Sequence, residues 1–302
     1  MSEFFIELFS EEIPANLQNK TRQDFFQNLK EFLEKEDIKY SGEATAFSIP
    51  NRLIVYFQNI SKKITKKENE IRGPNINAPE DALNGFLKSY KISIDKTYKK
   101  KTDKGEFYFF KKPSESIETK FVLQKNLPKI LDKISWKKSM RWADHELYWG
   151  RPLKSILCCF DNKTLEFEYH HLVSSNITFI DKDFEQKTKK FVRFKDYLAF
   201  FRSQNIILDN KKREQFIVDQ LNRIAKKENL KIHFNSTLLN EVTNIVEKPN
   251  IIKCRFNKRF LEIPDDILVT TMQVHQKYFP TFDSRDNLTN NFFLVADNKD
   301  SK

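Results

Sequence analysis

Residues 3–9 read EFFIELF, and residues 52–60 read RLIVYFQNI. Both runs combine aromatic and β-branched residues over a length typical of strands, so each predicts a β-strand. Between them, apolar residues recur at helical spacing within residues 16–36, which predicts a helix with one apolar face. The opening of the chain is therefore predicted to mix strands with a helix.

The pattern changes beyond a polar run at Lys182–Lys190. Upstream, helices and strands mix without regular alternation, and downstream three helices precede the last strands, so the predicted fold class is α+β. We expect mixed helices and mainly antiparallel sheets in two units, an N-terminal α+β unit at residues 1–180 and a second at 181–302. Other predictions are a loop over 61–80, a lysine-rich turn at 99–104, helices at 80–90, 116–134, 195–204, 210–229, 236–246 and 264–272, and strands at 153–160, 164–170, 250–263, 274–282 and 291–296.

The 302 residues carry a formal net charge of +11, with 29 phenylalanines and only five glycines. A basic chain suggests a polyanionic partner, foremost a nucleic acid. The chain is rich in Lys, Asn, Ile and Phe, so surface lysines without any role in binding explain the charge equally well. No glycine-rich phosphate-binding motif is present.

The three cysteines, Cys158, Cys159 and Cys254, form no CxxC pair, which argues against both a disulfide framework and a zinc ribbon. The first residues, MSEFFIELFSEEIP, are acidic where a signal peptide would be basic, and no apolar run is long enough to span a membrane. We therefore expect a cytoplasmic protein with no membrane partner.

Several short motifs together resemble one known family. They are FFIELFSEEIPA at the start, SIPNRLIV at 48–55, Arg72-Gly73-Pro74, Asp103-Lys104-Gly105-Glu106, Lys138-Ser139-Met140-Arg141-Trp142, Arg151-Pro152-Leu153, Val246-Glu247-x-Pro249, Phe260-Leu261-x-Ile263-Pro264 and His275-Gln276-Lys277-Tyr278-Phe279. Each is weak alone, but their number, order and spacing are similar to those of the β subunit of the bacterial heterotetrameric glycyl-tRNA synthetase.

The resemblance implies a subunit of a glycine–tRNA ligase in an α2β2 assembly, whose partners are the α subunit and tRNA(Gly). ATP and Mg²⁺ would act on the α subunit, so no cofactor and no catalytic residue is expected on this chain. The chain departs from the family at 174–180, where SSNITFI replaces a Gly-His-Arg-Phe segment. It also stops at VADNKDSK where family members continue, so the family's HD-like and anticodon-binding domains are expected to be absent, as in a fragment, a truncated gene or a split gene.

Candidate RNA-binding residues cluster in residues 136–151, where cations alternate with all three tryptophans. RNA recognition needs cations for phosphates and flat rings for unpaired bases. His275 and Lys277 would share one face of a predicted strand with Phe279. There is an opposing structural interpretation for each residue type. The tryptophans could fill a core, the lysines could simply face solvent, and His275 could have a structural role on an edge strand. The residues predicted to bind RNA are Lys137, Lys138, Arg141, Trp142, Arg151, His275 and Lys277.

Two other functions compete with the ligase subunit. The first is a free-standing RNA-binding module or paralogue without a synthetase partner. The second, which the sequence favours less, is a hydrolase using Glu11, Glu12 and His275. The lysine-rich stretches at 99–104 and 186–195 could contact phosphates, although solvated loops are the commoner explanation of such runs. No histidine spacing suggests a metal site.

Overall fold

The computed structural model describes residues 2–66, 68–180 and 187–297. Within these residues the chain forms both helices and antiparallel strands, which confirms the predicted α+β class. The α-helices are α1 (Ala15–Lys35), α2 (Glu80–Tyr90), α3 (Thr119–Leu131), α4 (Phe194–Ser203), α5 (Asn210–Lys227), α6 (Ser236–Ile245) and α7 (Asp265–Thr270). The first nine strands are β1 (Phe4–Ser10), β2 (Ala44–Ile49), β3 (Arg52–Phe57), β4 (Lys63–Lys66), β5 (Asn69–Asn75), β6 (Thr97–Thr102), β7 (Gly105–Lys112), β8 (Glu115–Glu118) and β9 (Leu153–Phe160).

The remaining strands are β10 (Lys163–Thr164), β11 (Glu168–Tyr169), β12 (Leu172–Val173), β13 (Ile177–Phe179), β14 (Thr188–Lys190), β15 (Asn250–Arg255), β16 (Phe279–Phe282) and β17 (Leu288–Ala296). Short 3₁₀ turns lie at Ile94–Lys96 and Lys258–Glu262, and a π-helical turn lies at Thr271–His275. The predicted loop over 61–80 is therefore wrong, because β4 and β5 occupy much of it.

The chain divides into two compact units, residues 1–61 with 123–302, and residues 62–122. The second unit is thus inserted in the first. The predicted boundary near residue 180 lies within the first unit, where Phe194 and Tyr197 share a core with Phe5. Residues 181–186 lie outside the described part of the chain, so a separation at that point stays a prediction.

The first unit is built on a five-stranded antiparallel sheet in the order β10-β9-β1-β3-β2. Strand β1 is central, and all seven of its residues are buried. One face contacts α1, where the rings of Phe26 and Phe57 stack at 5.4 Å. The other face packs against α4 through Phe194, Tyr197 and Phe201. Because both faces of the sheet are covered, β1 does not alternate between polar and apolar residues, and its polar residues are Glu7 and the final Ser10.

A second core of the first unit joins α5 and α6 to the sheet β15-β17-β16. The Asn235 side chain caps α6 by accepting hydrogen bonds from the backbone N–H groups of Thr237 and Leu238. Arg213 of α5 is fully buried and donates to the carbonyl oxygens of Thr243, at 2.7 Å, and Ser48, at 3.0 Å. This guanidinium therefore ties the second core to strand β2.

The inserted unit contains the antiparallel sheet β5-β7-β6 and the pair β4-β8. Helix α2 contacts the sheet, with the Tyr90 and Phe110 rings 5.6 Å apart. The lysine-rich run at 99–101, expected as a turn, instead forms part of strand β6. The turn itself is two residues long, and it ends at Gly105, whose φ of +116° is open only to glycine at low energy.

A charged network lies inside the first unit. Glu7 on β1 and Arg52 on β3 are 0% and 2% exposed, and an Arg52 Nη1 donates to the Glu7 carboxylate at 2.9 Å. The hydroxyls of Thr178 and Tyr197 also donate to Glu7. Burial, followed by the Glu7 carboxylate, raises the pKa of Tyr197 well above its ordinary value, so the phenol keeps the proton that it donates.

The segment SSNITFI at 174–180 supplies part of this network. The Thr178 hydroxyl accepts from Arg52 at 2.7 Å, and the Phe179 carbonyl accepts from its second Nη. Thr178 and Phe179 of this segment therefore have a structural role.

Removing one member of the buried pair is expected to destabilise the first unit strongly. Arg52→Met leaves the Glu7 carboxylate without its cation, so the free energy of unfolding should fall by about 3–5 kcal/mol in urea titrations. Lys100→Met, which removes the partner of exposed Glu70, should cost far less, because water and salt screen an exposed ion pair. The double variant Glu7→Leu/Arg52→Met should recover part of the loss. Equal costs for the two single variants would contradict the structural role of the pair.

Candidate nucleic-acid interface

Residues 136–151, here called the aromatic loop, are closed by a backbone bridge. The Met140 N–H donates to the Trp149 carbonyl at 2.8 Å, and the Trp149 N–H donates to the Met140 carbonyl at 3.1 Å. The bridge closes a loop of the eight residues 141–148, in which Ala143 lies in the left-handed region at φ 45°. The bridge therefore restrains the backbone that carries the side chains of residues 141–148.

Two of the three tryptophans anchor this loop. Trp149 is 1% exposed, and its ring lies 5.1 Å from that of Trp136 and 6.1 Å from that of Tyr169. A Cβ at Gly150 would lie 2.2 Å from the Trp136 ring, so glycine permits this close approach. The core interpretation is therefore correct for Trp149, and Trp136 serves as its half-buried neighbour.

The predicted cations of the aromatic loop differ in exposure. Lys137, Lys138 and Arg141 are exposed, whereas Arg151 is half-buried and donates to the Gly150 carbonyl at 3.1 Å. Arg141 donates from Nε to the His145 carbonyl at 3.2 Å. Neither of the two lysines lies within 4.0 Å of a carboxylate among the residues that the structure describes. Their charges are thus available to an anionic ligand.

A cluster of flat rings lies beside these cations. The imidazoles of His145 and His171 stack at 3.6 Å with an interplanar angle of 5°. The half-buried Trp142 ring meets both edge-on, at 6.0 and 5.6 Å. Tyr148 is 61% exposed, and its ring centre lies 5.9 Å from the Arg141 guanidinium carbon. The arrangement combines donors for phosphate with surfaces on which a base can stack.

The sequence did not identify His145, Tyr148 or His171 as members of this cluster. His171 lies 26 positions after His145, in the turn between β11 and β12, so no local spacing relates the two. The only available signal was the adjacent pair His170-His171 between two strand-like runs. The fold, and not a motif, brings the stacked pair together.

Burial lowers the pKa of His171, and the neighbouring His145 and His170 lower it further by charge repulsion. A hydrogen bond to the Leu153 backbone opposes this shift. The net direction of the pKa shift favours a neutral His171 near pH 7.

The predicted strand through His275 and Lys277 is wrong. His275 ends the π-helical turn, and Lys277 has a φ of +60°, so the strand begins only at Phe279. The residues do not alternate on one strand face, because a strand requires extended backbone at each position. Lys277 is half-buried, and its ammonium contacts the Glu241 carboxylate and the Val274 carbonyl, both at 2.8 Å.

Among the described residues, no hydrogen bond, ion pair or ring contact joins His275 or Lys277 to the aromatic loop. Lys277 is already compensated by Glu241, whereas His275 is exposed. RNA binding by His275 and Lys277 stays a prediction, because no observed contact places them on the same surface as the aromatic loop.

Glu11, considered for acid–base chemistry, forms an ion pair with Lys154. This ion pair gives Glu11 a structural role where β1 ends and β9 begins. Within residues 2–66, 68–180 and 187–297, no group of three His, Cys, Asp or Glu side chains is arranged to hold a metal ion. Over the same residues, every helix is too short or too polar to cross a lipid bilayer.

Comparison with known proteins decides the family. The family model described as glycyl-tRNA synthetase beta subunit matches residues 4–302. The chain belongs to this family. It is 35% identical over 301 residues to the glycine–tRNA ligase beta subunit of Rickettsia felis, with 99% of this chain and 45% of the relative covered. The beta subunits of Rickettsia prowazekii and Rickettsia akari are 35% and 34% identical, with the same coverage. The chain thus spans a little under half the length of these curated relatives.

The lowered pKa of His171 leads to a testable pH dependence. Its neutral form is favoured by folding, so its stabilising contribution is present above the unfolded pKa of about 6.5 and is lost as pH falls through the folded pKa. The wild type should therefore lose more unfolding free energy between pH 7.5 and 5.5 than His171→Gln. Urea titrations measure this difference, and His233→Gln, an exposed histidine near Asp286, is the control. An NMR midpoint for His171 at or above 6.5 would contradict the assignment.

Proposed function

We propose that this chain contributes to tRNA binding in a glycine–tRNA ligase, and that the exposed side of the aromatic loop together with His171 is one surface that contacts the RNA. The observation that carries the proposal is the packing of Trp142 against the stacked pair His145 and His171, next to a stretch of the same loop in which Lys137 and Lys138 are exposed and have no carboxylate partner among the described residues. Membership of the beta-subunit family supports the choice of tRNA(Gly) as the polyanion.

The chemistry of the surface fits an RNA strand with unpaired bases. The lysines and Arg141 supply charge and donors for phosphates, and a guanidinium can also stack on a ring. Tyr148 offers an exposed ring, and Trp142 has an edge held by two imidazoles, so it is oriented before any ligand arrives. A preorganised ring loses less conformational entropy on binding than a mobile side chain.

In this proposal, ATP and Mg²⁺ act on a partner α subunit, where glycine would be activated, and the two chains assemble as a cytoplasmic α2β2 heterotetramer. The chain described here would dock to α and orient the tRNA. Placing the 3′ end of a tRNA next to an activated amino acid is catalysis by positioning. Loss of the chain would therefore affect transfer to tRNA more than activation.

Replacing the two unpaired lysines tests the surface directly. For a flexible RNA, log K falls with log salt at a slope of about −0.7 per neutralised phosphate, so Lys137→Ala/Lys138→Ala should flatten the slope by about 1.4. Trp142→Ala should weaken binding by about 1–3 kcal/mol without changing the slope, because stacking releases no counterions. The measurement is a salt titration of tRNA(Gly) affinity by fluorescence anisotropy, with thermal unfolding of each variant.

Lys226→Ala/Lys227→Ala provides the matched control, since both residues are exposed lysines at the end of α5. It removes the same charge from a different surface and should leave most of the slope intact. Normal folding with an unchanged slope for the Lys137/Lys138 variant would exclude this loop as an RNA surface. A fall in the melting temperature of Trp142→Ala without a specific loss of binding would assign that ring to packing.

The proposed division of labour makes a second prediction. The purified chain alone should not catalyse glycine-dependent exchange of pyrophosphate into ATP, because activation is assigned to α. Adding α should restore both exchange and the charging of tRNA(Gly), and a parallel assay with α alone separates the two contributions. Exchange by the isolated chain would place an adenylation site on this polypeptide and refute the assignment. Charging that is independent of α would refute the docking role as well.

A further inference from the structure

The inserted unit carries a disproportionate share of the positive charge. Residues 62–122 contain 15 lysines and arginines against nine aspartates and glutamates, a net +6 in 61 residues. The whole chain has +11 in 302 residues. More than half of the net charge therefore lies in one fifth of the sequence, apart from the aromatic loop.

Part of this charge is displayed on the hairpin of β6 and β7. Strand β6 is an edge strand of its sheet, and Lys99, Lys100 and Lys101 pair with Tyr108, Phe107 and Glu106 of β7. Side chains alternate along a strand, so Lys99 and Lys101 share one face and Lys100 lies on the other. The hairpin thus sorts adjacent lysines into two different environments.

The lysines on the two faces differ in pairing. Lys100 contacts the Glu70 carboxylate at 2.5 Å, and the Tyr98 hydroxyl donates to the same carboxylate at 2.6 Å. Lys99, Lys101 and the turn residue Lys104 are exposed, and none has a carboxylate within 4.0 Å in the described part of the chain. The Lys99 ammonium lies 5.9 Å from the centre of the half-buried Tyr108 ring.

Acidic partners are not scarce in this unit. Ion pairs join Lys111 to Glu68 at 3.5 Å, Lys112 to Glu115 at 3.8 Å and Lys120 to Glu118 at 3.1 Å. Lys99, Lys101 and Lys104, in contrast, bring three ammonium groups without a carboxylate partner among the described residues to one hairpin. Lysines on an edge strand can instead protect that strand against aggregation. Charge of either sign could serve that role, so it does not explain why three lysines without a carboxylate partner share one hairpin.

We propose that the hairpin face formed by Lys99, Lys101, Lys104 and Tyr108 is a second RNA-binding surface, which contacts the phosphate backbone. This inference rests on the proposed RNA-binding function but concerns a different part of the chain. Lysines act as point charges toward phosphate and carry little sequence information. The surface therefore contributes affinity and placement of the RNA and not recognition of particular bases.

Charge reversal distinguishes this surface from edge protection. Lys99→Glu/Lys101→Glu keeps the edge strand charged but repels phosphates. In salt titrations of the full chain with a tRNA(Gly) transcript, loss of two contacts should flatten the slope by about 1.4, which corresponds to about 25-fold weaker binding at 0.1 M salt if the contribution vanishes at 1 M. Repulsion from the new carboxylates adds to this loss. Lys99→Gln/Lys101→Gln, which adds no repulsion, should show the same change in slope.

The matched control is Lys226→Glu/Lys227→Glu, which changes the net charge by the same amount on exposed residues of α5. Circular dichroism and melting temperature establish that each variant folds. Equal affinity and slope for the hairpin and control variants would overturn the proposal. Normal RNA binding combined with loss of α-subunit association would assign the hairpin to a protein partner and overturn it too.

Parallel titration of Lys137→Ala/Lys138→Ala separates this inference from the proposed function. If that variant loses salt dependence while the hairpin variants behave as the control, the aromatic loop binds RNA and the hairpin does not. If the wild type shows no salt-dependent affinity for the transcript, both proposals fail. A change in slope for both sets of variants supports two surfaces.

Discussion

The buried pair of Glu7 and Arg52 constrains the first unit more than any single apolar contact. Two charges removed from water need well-placed hydrogen-bond partners, and of the Arg52 guanidinium nitrogens only Nε has none among the described residues. Here the carboxylate receives the guanidinium and two hydroxyls, and the guanidinium also lies 4.5 Å from the centre of the Phe9 ring and 4.8 Å from that of Phe201. The arrangement forms only when β1, β3, the 177–179 strand and α4 are all in place, so it couples segments far apart in the sequence.

This constraint also gives a physical account of several motifs that resemble the beta-subunit family. Glu7 lies within the opening run, and Arg52 lies within the Pro-x-Arg-Leu segment. Glu247, from the Val-Glu-x-Pro motif, is buried and contributes to the electrostatic field at Arg52 and Tyr197. Gly150 accommodates Trp136, and Phe279 is fully buried in the second core. Glu7, Arg52, Glu247 and Phe279 therefore hold the fold together, whereas Lys138, Arg141 and Trp142, from another of these motifs, are offered to a ligand.

The sequence correctly predicted elements that have a local residue pattern. It failed for elements whose conformation depends on contacts with residues far away in the sequence. Helices α2 and α5 and strand β9 follow directly from apolar periodicity or an unbroken apolar run. Strand β6 was missed because its lysines resemble a solvated turn, and only pairing with the aromatic β7 makes the segment extended. The stacked His145 and His171 could not be found from spacing. Lys277 looked like a strand residue, although a positive φ and the pairing with Glu241 place it in a tight turn.

The ends of the inserted unit are held together by its own backbone, since the Thr119 N–H donates to the Lys62 carbonyl at 2.9 Å and β4 pairs with β8. For the remainder of the polypeptide, residues 62–122 are therefore equivalent to a closed loop. The entropy of closing a loop grows only with the logarithm of its length, and each doubling costs about 0.6 kcal/mol. Lengthening or shortening the interior of this unit therefore changes the folding free energy of the five-stranded sheet in the first unit very little. Variation in size can accumulate there while β1, β3 and β9 keep their register.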